Sequence, residues 1–176
     1  MEAERVAVFG FSRLGKTALW AGAQDERFAA VISQNSGKGG VSLSKRLVGE
    51  PVSHLAGKDL GHWFAANYAK YSDNEATLPV DAHELAALIA PRPLLILSAT
   101  EDSYSDPEGE FLGGVGATPV YRLLGSEGLA TDQWPAPQTL INSTVGYYLR
   151  PGGHDVTLED WQATLDWADT HLIGRH

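Results

Sequence analysis

At 176 residues the chain has the length of one domain, on the usual scale of ~100–200 residues each. Its 13 Lys and Arg against 22 Asp and Glu leave a formal charge of −9, which argues against nucleic acid as the main partner because phosphate binding needs a cationic surface. Cysteine is absent, which excludes disulfides, thiolate zinc sites and a cysteine nucleophile, and no apolar run approaches the ~18 residues of a membrane span.

After Met1, Glu-Ala-Glu-Arg leads directly into a strand-like run with no signal-peptide pattern. Residues 5–9 (RVAVF) read as a buried strand ending at Gly10, and 17–23 as a helix. Residues 28–33 (FAAVIS) are a second strand, followed by the glycine-rich loop 37–40. From Val41 to Tyr71 the composition predicts loop and short helix. Asp81 to Ala90 has helical periodicity with Pro91 as its stop, and 94–97 (LLIL) is the clearest strand. A helix is expected over 118–124 and a last strand over 145–149 (VGYYL). A closing amphipathic helix over 157–172 has Thr157 as N-cap, with Glu159 and Asp160 near its positive end. Strands alternating with helices predict an α/β fold with a mostly parallel sheet of about four strands.

Gly10-Phe11-Ser12-Arg13-Leu14-Gly15-Lys16-Thr17 follows the first strand and opens the first helix. It satisfies the phosphate-loop pattern G-x-x-x-x-G-K-[ST], in which backbone N–H groups wrap anionic oxygens. Phe, Ser, Arg and Leu between the fixed positions are bulky for such a loop. The same residues resemble a nucleophile elbow, which places a Ser on a sharp strand-to-helix turn with a small residue two before it, here Ser12 and Gly10. The second glycine of G-x-S-x-G falls one residue late, at Gly15. The motif alone leaves both readings open.

A serine nucleophile needs a general base, because a free hydroxyl is weakly nucleophilic at neutral pH. His154 stands in the turn Pro151-Gly152-Gly153-His154-Asp155, just after the last strand. His54, His62, His83, His171 and His176 read as surface or packing residues. Asp102, a few residues beyond the LLIL strand, is the candidate acid, with Glu101 and Asp106 as neighbouring rivals and a magnesium-binding Asp as the phosphate-loop alternative. The order Ser12, Asp102, His154 is that of α/β-hydrolases, and it favours the hydrolase reading.

The elbow is similar to the G-x-S-R-x-G-K elbow of glucuronoyl esterases, carbohydrate esterase family 15. The similarity continues through Ser36-Gly37-x-Gly39-Gly40, Gly49-Glu50, His62-Trp63-Phe64, Leu78-Pro79-Val80-Asp81 and Ala90-Pro91-Arg92-Pro93. It ends with Asp106-Pro107-x-Gly109-Glu110-Phe111 and Arg150-Pro151-Gly152-Gly153-His154-Asp155. The resemblance implies an α/β-hydrolase fold and cleavage of esters between (4-O-methyl-)glucuronic acid on xylan and lignin alcohols. Ser12 would be nucleophile, His154 base and Arg13 the oxyanion residue. Lys16 and Glu50 match positions that contact sugar hydroxyls; Trp63 reads first as a packing residue that could also lie beside a sugar. Some members carry the triad acid after the second strand, where this sequence has Asn35. An amide cannot pair with imidazolium as a charge, so the acid moves to Asp102. An aromatic two residues after it, typically Trp in bacterial relatives, is Tyr104 here, which could keep a stacking role at the sugar.

The resemblance implies no metal or organic cofactor, a polysaccharide or small-molecule ester as partner, and a secreted or periplasmic location. Another serine carboxylesterase (acetyl or feruloyl), a phosphate-loop nucleotide binder and an inactive fragment are the alternatives. In this fold several strands normally precede the elbow strand, so the expectation is one catalytic domain represented by its C-terminal half, with an exposed sheet edge beside Val6. Asn142-Ser143-Thr144 matches an N-glycosylation triplet, a pattern that also arises by chance.

Overall fold

In a computed structural model, residues 5–173 are described; the readings on the first four residues and on His176 lie outside that range. Strand β1 (Ala7–Phe11) runs through a single residue into helix α1 (Arg13–Gln24), and β2 (Ala30–Gln34) follows. The stretch up to Asp81 holds only short elements, among them α2 (Val52–Leu55), as its mixed composition predicts. Helix α3 (Ala82–Ala87) is started by a capping box, in which the Asp81 side chain and the Glu84 side chain each satisfy a backbone N–H of the other's end. Then come β3 (Leu94–Ala99), α4 (Pro107–Leu123), β4 (Leu140–Ile141), β5 (Val145–Arg150) and α5 (Leu158–Ala168), which passes into a π-helical turn over Asp169–Ile173.

The strands form one sheet in the order β1-β2-β3-β5-β4. All neighbours are parallel except β4, which runs antiparallel to β5. Among the described residues, β1 occupies one edge of the sheet. Consecutive strand residues feed opposite faces. Val31, Leu94, Ile96, Val145 and Tyr147 pack against Leu19 of α1, Ala86 of α3 and Phe111 and Tyr121 of α4. Ala30, Ile32, Leu95, Leu97 and Tyr148 pack against Ala163 and Trp167 of α5. Both faces are dry, so β2, β3 and β5 are buried along their whole length, the condition that makes parallel strands read as continuous apolar runs.

Several expectations change, and the helix expected over 17–23 already begins at Arg13. β4 adds a fifth strand, too short at two residues to leave a pattern. β1 and β2 start two residues later than expected, and β1 includes Gly10 and Phe11. The helix expected over 118–124 begins at Pro107 instead. Its first half carries Gly109, Gly113, Gly114 and Gly116, which weaken helix propensity. Tertiary contact explains them: a Cβ on Gly113 would lie 2.0 Å from the Val41 carbonyl oxygen. Gly113→Ala should therefore destabilise the protein, by about 1–3 kcal/mol, although Ala is the better helix former. Urea unfolding of the variant against the wild type checks the sign.

Candidate active site

Parallel register brings the C-terminal ends of β1, β2, β3 and β5 to one edge of the sheet, where ligand crevices of α/β sheets form. Ser12, Asn35, Asp102 and His154 each follow one of these ends. Ser12 alone connects β1 to α1, with φ 58 and ψ −127. A side chain in that region is strained and is kept only where the surroundings enforce it. Close packing does so here. A Cβ on Gly10 would lie 1.9 Å from the Leu14 carbonyl oxygen, and one on Gly15 would lie 2.9 Å from both the Gln34 oxygen and the Ser36 Cβ. The second small residue that the turn needs is thus Gly15, which faces β2, while Leu14 points outward at 58% exposure.

This geometry removes the phosphate-loop reading. α1 begins directly after Ser12, so no loop remains to wrap a phosphate. Lys16 Nζ donates to the carbonyls of Ser36 and Lys38 instead. At the start of α1, Gly15 N and Lys16 N donate to the Ser12 carbonyl, while Arg13 N and Leu14 N precede the first intrahelical acceptor.

His154 Nε2 lies 2.9 Å from Ser12 Oγ, and its Nδ1 lies 2.6 Å from Asp102 Oδ2. The Phe11 ring packs on the imidazole, with centroids 4.6 Å apart. Asp102 is buried. Burial pushes its carboxyl pKa up, but hydrogen bonds from Ser105, His154 and Asn35 outweigh it and hold the group below the usual value. Asn35 Nδ2 donates to Asp102 Oδ2 at 2.7 Å, the oxygen that also meets His154. The residue read as a departure from the family therefore braces the acid. The rivals of Asp102 are elsewhere: Glu101 is exposed, and Asp106 caps α4 and pairs with Arg46.

Ser12, Arg13, Lys16, Glu50, Trp63, Asp102, Tyr104 and His154 line one cavity of about 350 Å³, together with Asn35, Gly37 and Ser105. The Arg13 guanidinium lies over the Trp63 ring, 5.5 Å from its centroid. Trp63 thus does more than pack, since it supports Arg13 at the cavity wall. Glu50 donates its backbone N–H to the Tyr104 carbonyl, and its carboxylate stands 3.3 Å from His54 Nε2. His54 is a surface residue, as read from the sequence, and stands beside Glu50 at the site's rim. A second cavity of about 690 Å³ shares Arg13, Lys16 and Trp63 and is otherwise lined mainly by apolar groups such as Leu14, Trp20 and Phe64. His62 lies on that wall, His83 packs beneath Gly116 of α4, and His171 packs on Trp167 and bonds Asn142, the Asn of the triplet.

A sequence profile for fungal glucuronyl esterases matches residues 1–125. The chain belongs to the glucuronyl esterase family. It is 54% identical over 171 residues to the carbohydrate esterase MZ0003 of an unknown prokaryotic organism, covering 97% of this chain and 39% of that protein. It is 40% identical over 129 residues to 4-O-methyl-glucuronoyl methylesterase 1 of Wolfiporia cocos, covering 69% of this chain and 31% of that one. A solved glucuronoyl esterase from Solibacter usitatus superposes with a TM-score of 0.92 at 46% identity, over 97% of this chain and 43% of that chain. The chain thus spans about two fifths of the length of these relatives, and the α/β-hydrolase-like fold is shared with them.

One family motif residue that the sequence left without a role is Glu110, which is fully buried on α4 under the 36–37 loop. Its Oε1 accepts from Ser36 N (2.6 Å), Gly37 N (3.0 Å) and Ser36 Oγ (3.1 Å), and its Oε2 accepts from Ser98 Oγ (2.6 Å). The loop is gripped from both sides, with its N–H groups on Glu110 and its carbonyls on Lys16. Burial lowers the Lys16 pKa, an effect that Glu50, Glu110 and Asp102 partly offset. Burial likewise raises Glu110 to about 7, against the hydrogen bonds from Ser98, Gly37 and Ser36. A carboxyl raised in the folded state contributes stability that is fully present below its unfolded pKa of 4.5 and lost as pH rises through about 7. Urea unfolding at pH 5 and pH 8 should show this loss, up to about 3 kcal/mol, in the wild type. Glu110→Gln, which keeps an acceptor for the loop N–H groups, should remove that component of the pH dependence.

Proposed function

We propose that this chain carries the ester-cleaving centre of a glucuronoyl esterase and uses Ser12, His154 and Asp102 as a catalytic triad. The observation that supports it most is the continuous relay from Ser12 Oγ through both imidazole nitrogens to a buried carboxylate, with contacts of 2.9 and 2.6 Å. In this reading Ser12 Oγ attacks the ester carbonyl as His154 Nε2 takes its proton. Asp102 holds the Nδ1–H tautomer and stabilises the imidazolium. The Arg13 N–H, at the positive end of α1, and its guanidinium receive the oxyanion; removal of one such donor typically costs about 10²–10³ in rate. His154 then protonates the departing alcohol, and water repeats the sequence on the acyl-serine.

The substrate assignment rests on the relatives, several of which are 4-O-methyl-glucuronoyl methylesterases. The reading is hydrolysis of (4-O-methyl-)glucuronic acid esters on xylan with lignin alcohols. Glu50, Tyr104 and Trp63 surround the space beside Ser12, where a sugar would sit. Lys16 has Nζ bonded to two carbonyls, so it meets a sugar with its remaining donor. A polymer-borne substrate fits a secreted or periplasmic protein. Among the described residues no helix is long and apolar enough to cross a membrane. The chain is read as one catalytic unit of α/β-hydrolase type.

Hydrolysis of benzyl glucuronate by the purified chain, faster than hydrolysis of an aryl acetate, is the expected result. Ser12→Ala should abolish it with an unchanged thermal melt, and turnover retained in that variant would sink the triad. Asp102→Asn should lower kcat by up to about 10⁴-fold, because the relay then loses the group that sets the tautomer. A preference for acetate would assign the centre to another class of carboxylesterase.

A further inference from the structure

His154 sits in a turn with two glycines, and such a turn does not by itself hold an imidazole between two partners. Behind the turn lies Arg150, the last residue of β5, whose side chain is only 5% exposed. Its Nη1 donates to the Pro151 carbonyl (2.7 Å), and its Nη2 donates to those of Gly153 (2.8 Å) and Asp155 (3.1 Å). The two last carbonyls flank His154. The remaining Nε–H is taken by Asp160 of α5, which is itself buried and locked by the Thr157 capping box. Gly152 fits this reading doubly. Its φ is +99, and a Cβ there would lie 3.0 Å from Arg150 Nη1. The main chain at Arg150 is tied as well: Thr100 N donates to the Arg150 carbonyl and Glu101 N to that of Gly152, which joins the turn to the segment that presents Asp102.

We propose that Arg150 is the positioning residue for His154: its guanidinium, anchored by Asp160, gathers the carbonyls of the 151–155 turn and so fixes the imidazole between Ser12 and Asp102. The proposal rests on the reading of His154 as general base. The task needs a planar fork with several donors in fixed directions, which Arg has and Lys lacks. A role confined to the buried ion pair would be met by either cation.

Arg150→Lys separates the two. It keeps a positive charge for Asp160 and loses the fork. Two measurements are made on the purified chain, with urea unfolding to confirm a folded variant. One is the rate of Ser12 labelling by a fluorophosphonate, read by intact mass. The other is the pair of His154 ring-nitrogen shifts, read by NMR. In Arg150→Lys, labelling should slow roughly 10–100-fold, the scale of a 1 Å misplacement. The His154 ring should change from the Nδ1–H form towards a mixture of tautomers. Labelling and ring shifts equal to the wild type overturn the proposal, as does a wild-type ring that already averages both tautomers. If Arg150→Lys does not fold, the pair Arg150→Gln with Asp160→Asn carries the test, because it leaves no buried charge alone; the same two changes are expected. A wild type whose Ser12 stays unlabelled, while the ring shifts still differ from those of the variant, would overturn the nucleophile reading and still support the positioning role.

Discussion

The turn at Ser12 is the constraint on which the rest of the site depends. One residue reverses the chain from strand to helix at positive φ, and it can do so only because α1 lies directly against the backbone at Gly10 and against β2 at Gly15. That contact raises the hydroxyl above the sheet edge and aims the first turn of α1 at the space beside it. It also delivers Lys16 to the carbonyls of the neighbouring loop. The glycines at 10 and 15 are therefore steric requirements of packing.

Around that turn, the surroundings shift two buried carboxyl groups in opposite directions. Asp102 is kept charged by donors that converge on it, with Asn35 and His154 meeting one oxygen. Glu110 accepts four hydrogen bonds, yet its full burial pushes it up to about 7. The first meets the His154 imidazole; the second accepts from the backbone of Ser36 and Gly37, next to Asn35. The turn that carries His154 is met by a different means, a permanently charged guanidinium that donates to its main-chain carbonyls. Each element of the relay thus has its own support: steric at Ser12, electrostatic at Asp102 and directional hydrogen bonding at His154.

Much of this was legible in the residues. The apolar runs of β2, β3 and β5 marked buried parallel strands, because strands covered on both faces lack alternation. Ser12, Asp102 and His154 were legible since each follows a strand, and short loops after parallel strands end at one edge. Asn35 was harder. Its type excluded the role of a charged acid, but that it donates to Asp102 depends on a contact 67 positions away in the chain. Glu110 and Arg150 stood inside recognisable motifs with no stated task, because burial is not visible in a residue's name. The first half of α4 was missed for a related reason: its glycines oppose helix locally and are demanded by the approach of Val41.

By itself, the order of residues determined the α/β class and the family and marked Ser12, His154 and a short list of candidate acids, since these follow from side-chain type, hydrophobic patterning and sequence spacing. The tertiary structure decided which of two motif readings Gly10–Thr17 obeys. It did so by starting α1 at Arg13 and committing Lys16 to protein carbonyls, so that no phosphate cradle exists. It also decided which acid faces the imidazole and what steadies both. Those outcomes turn on distances between residues remote in sequence, and only the closing of the sheet brings such residues within hydrogen-bonding reach.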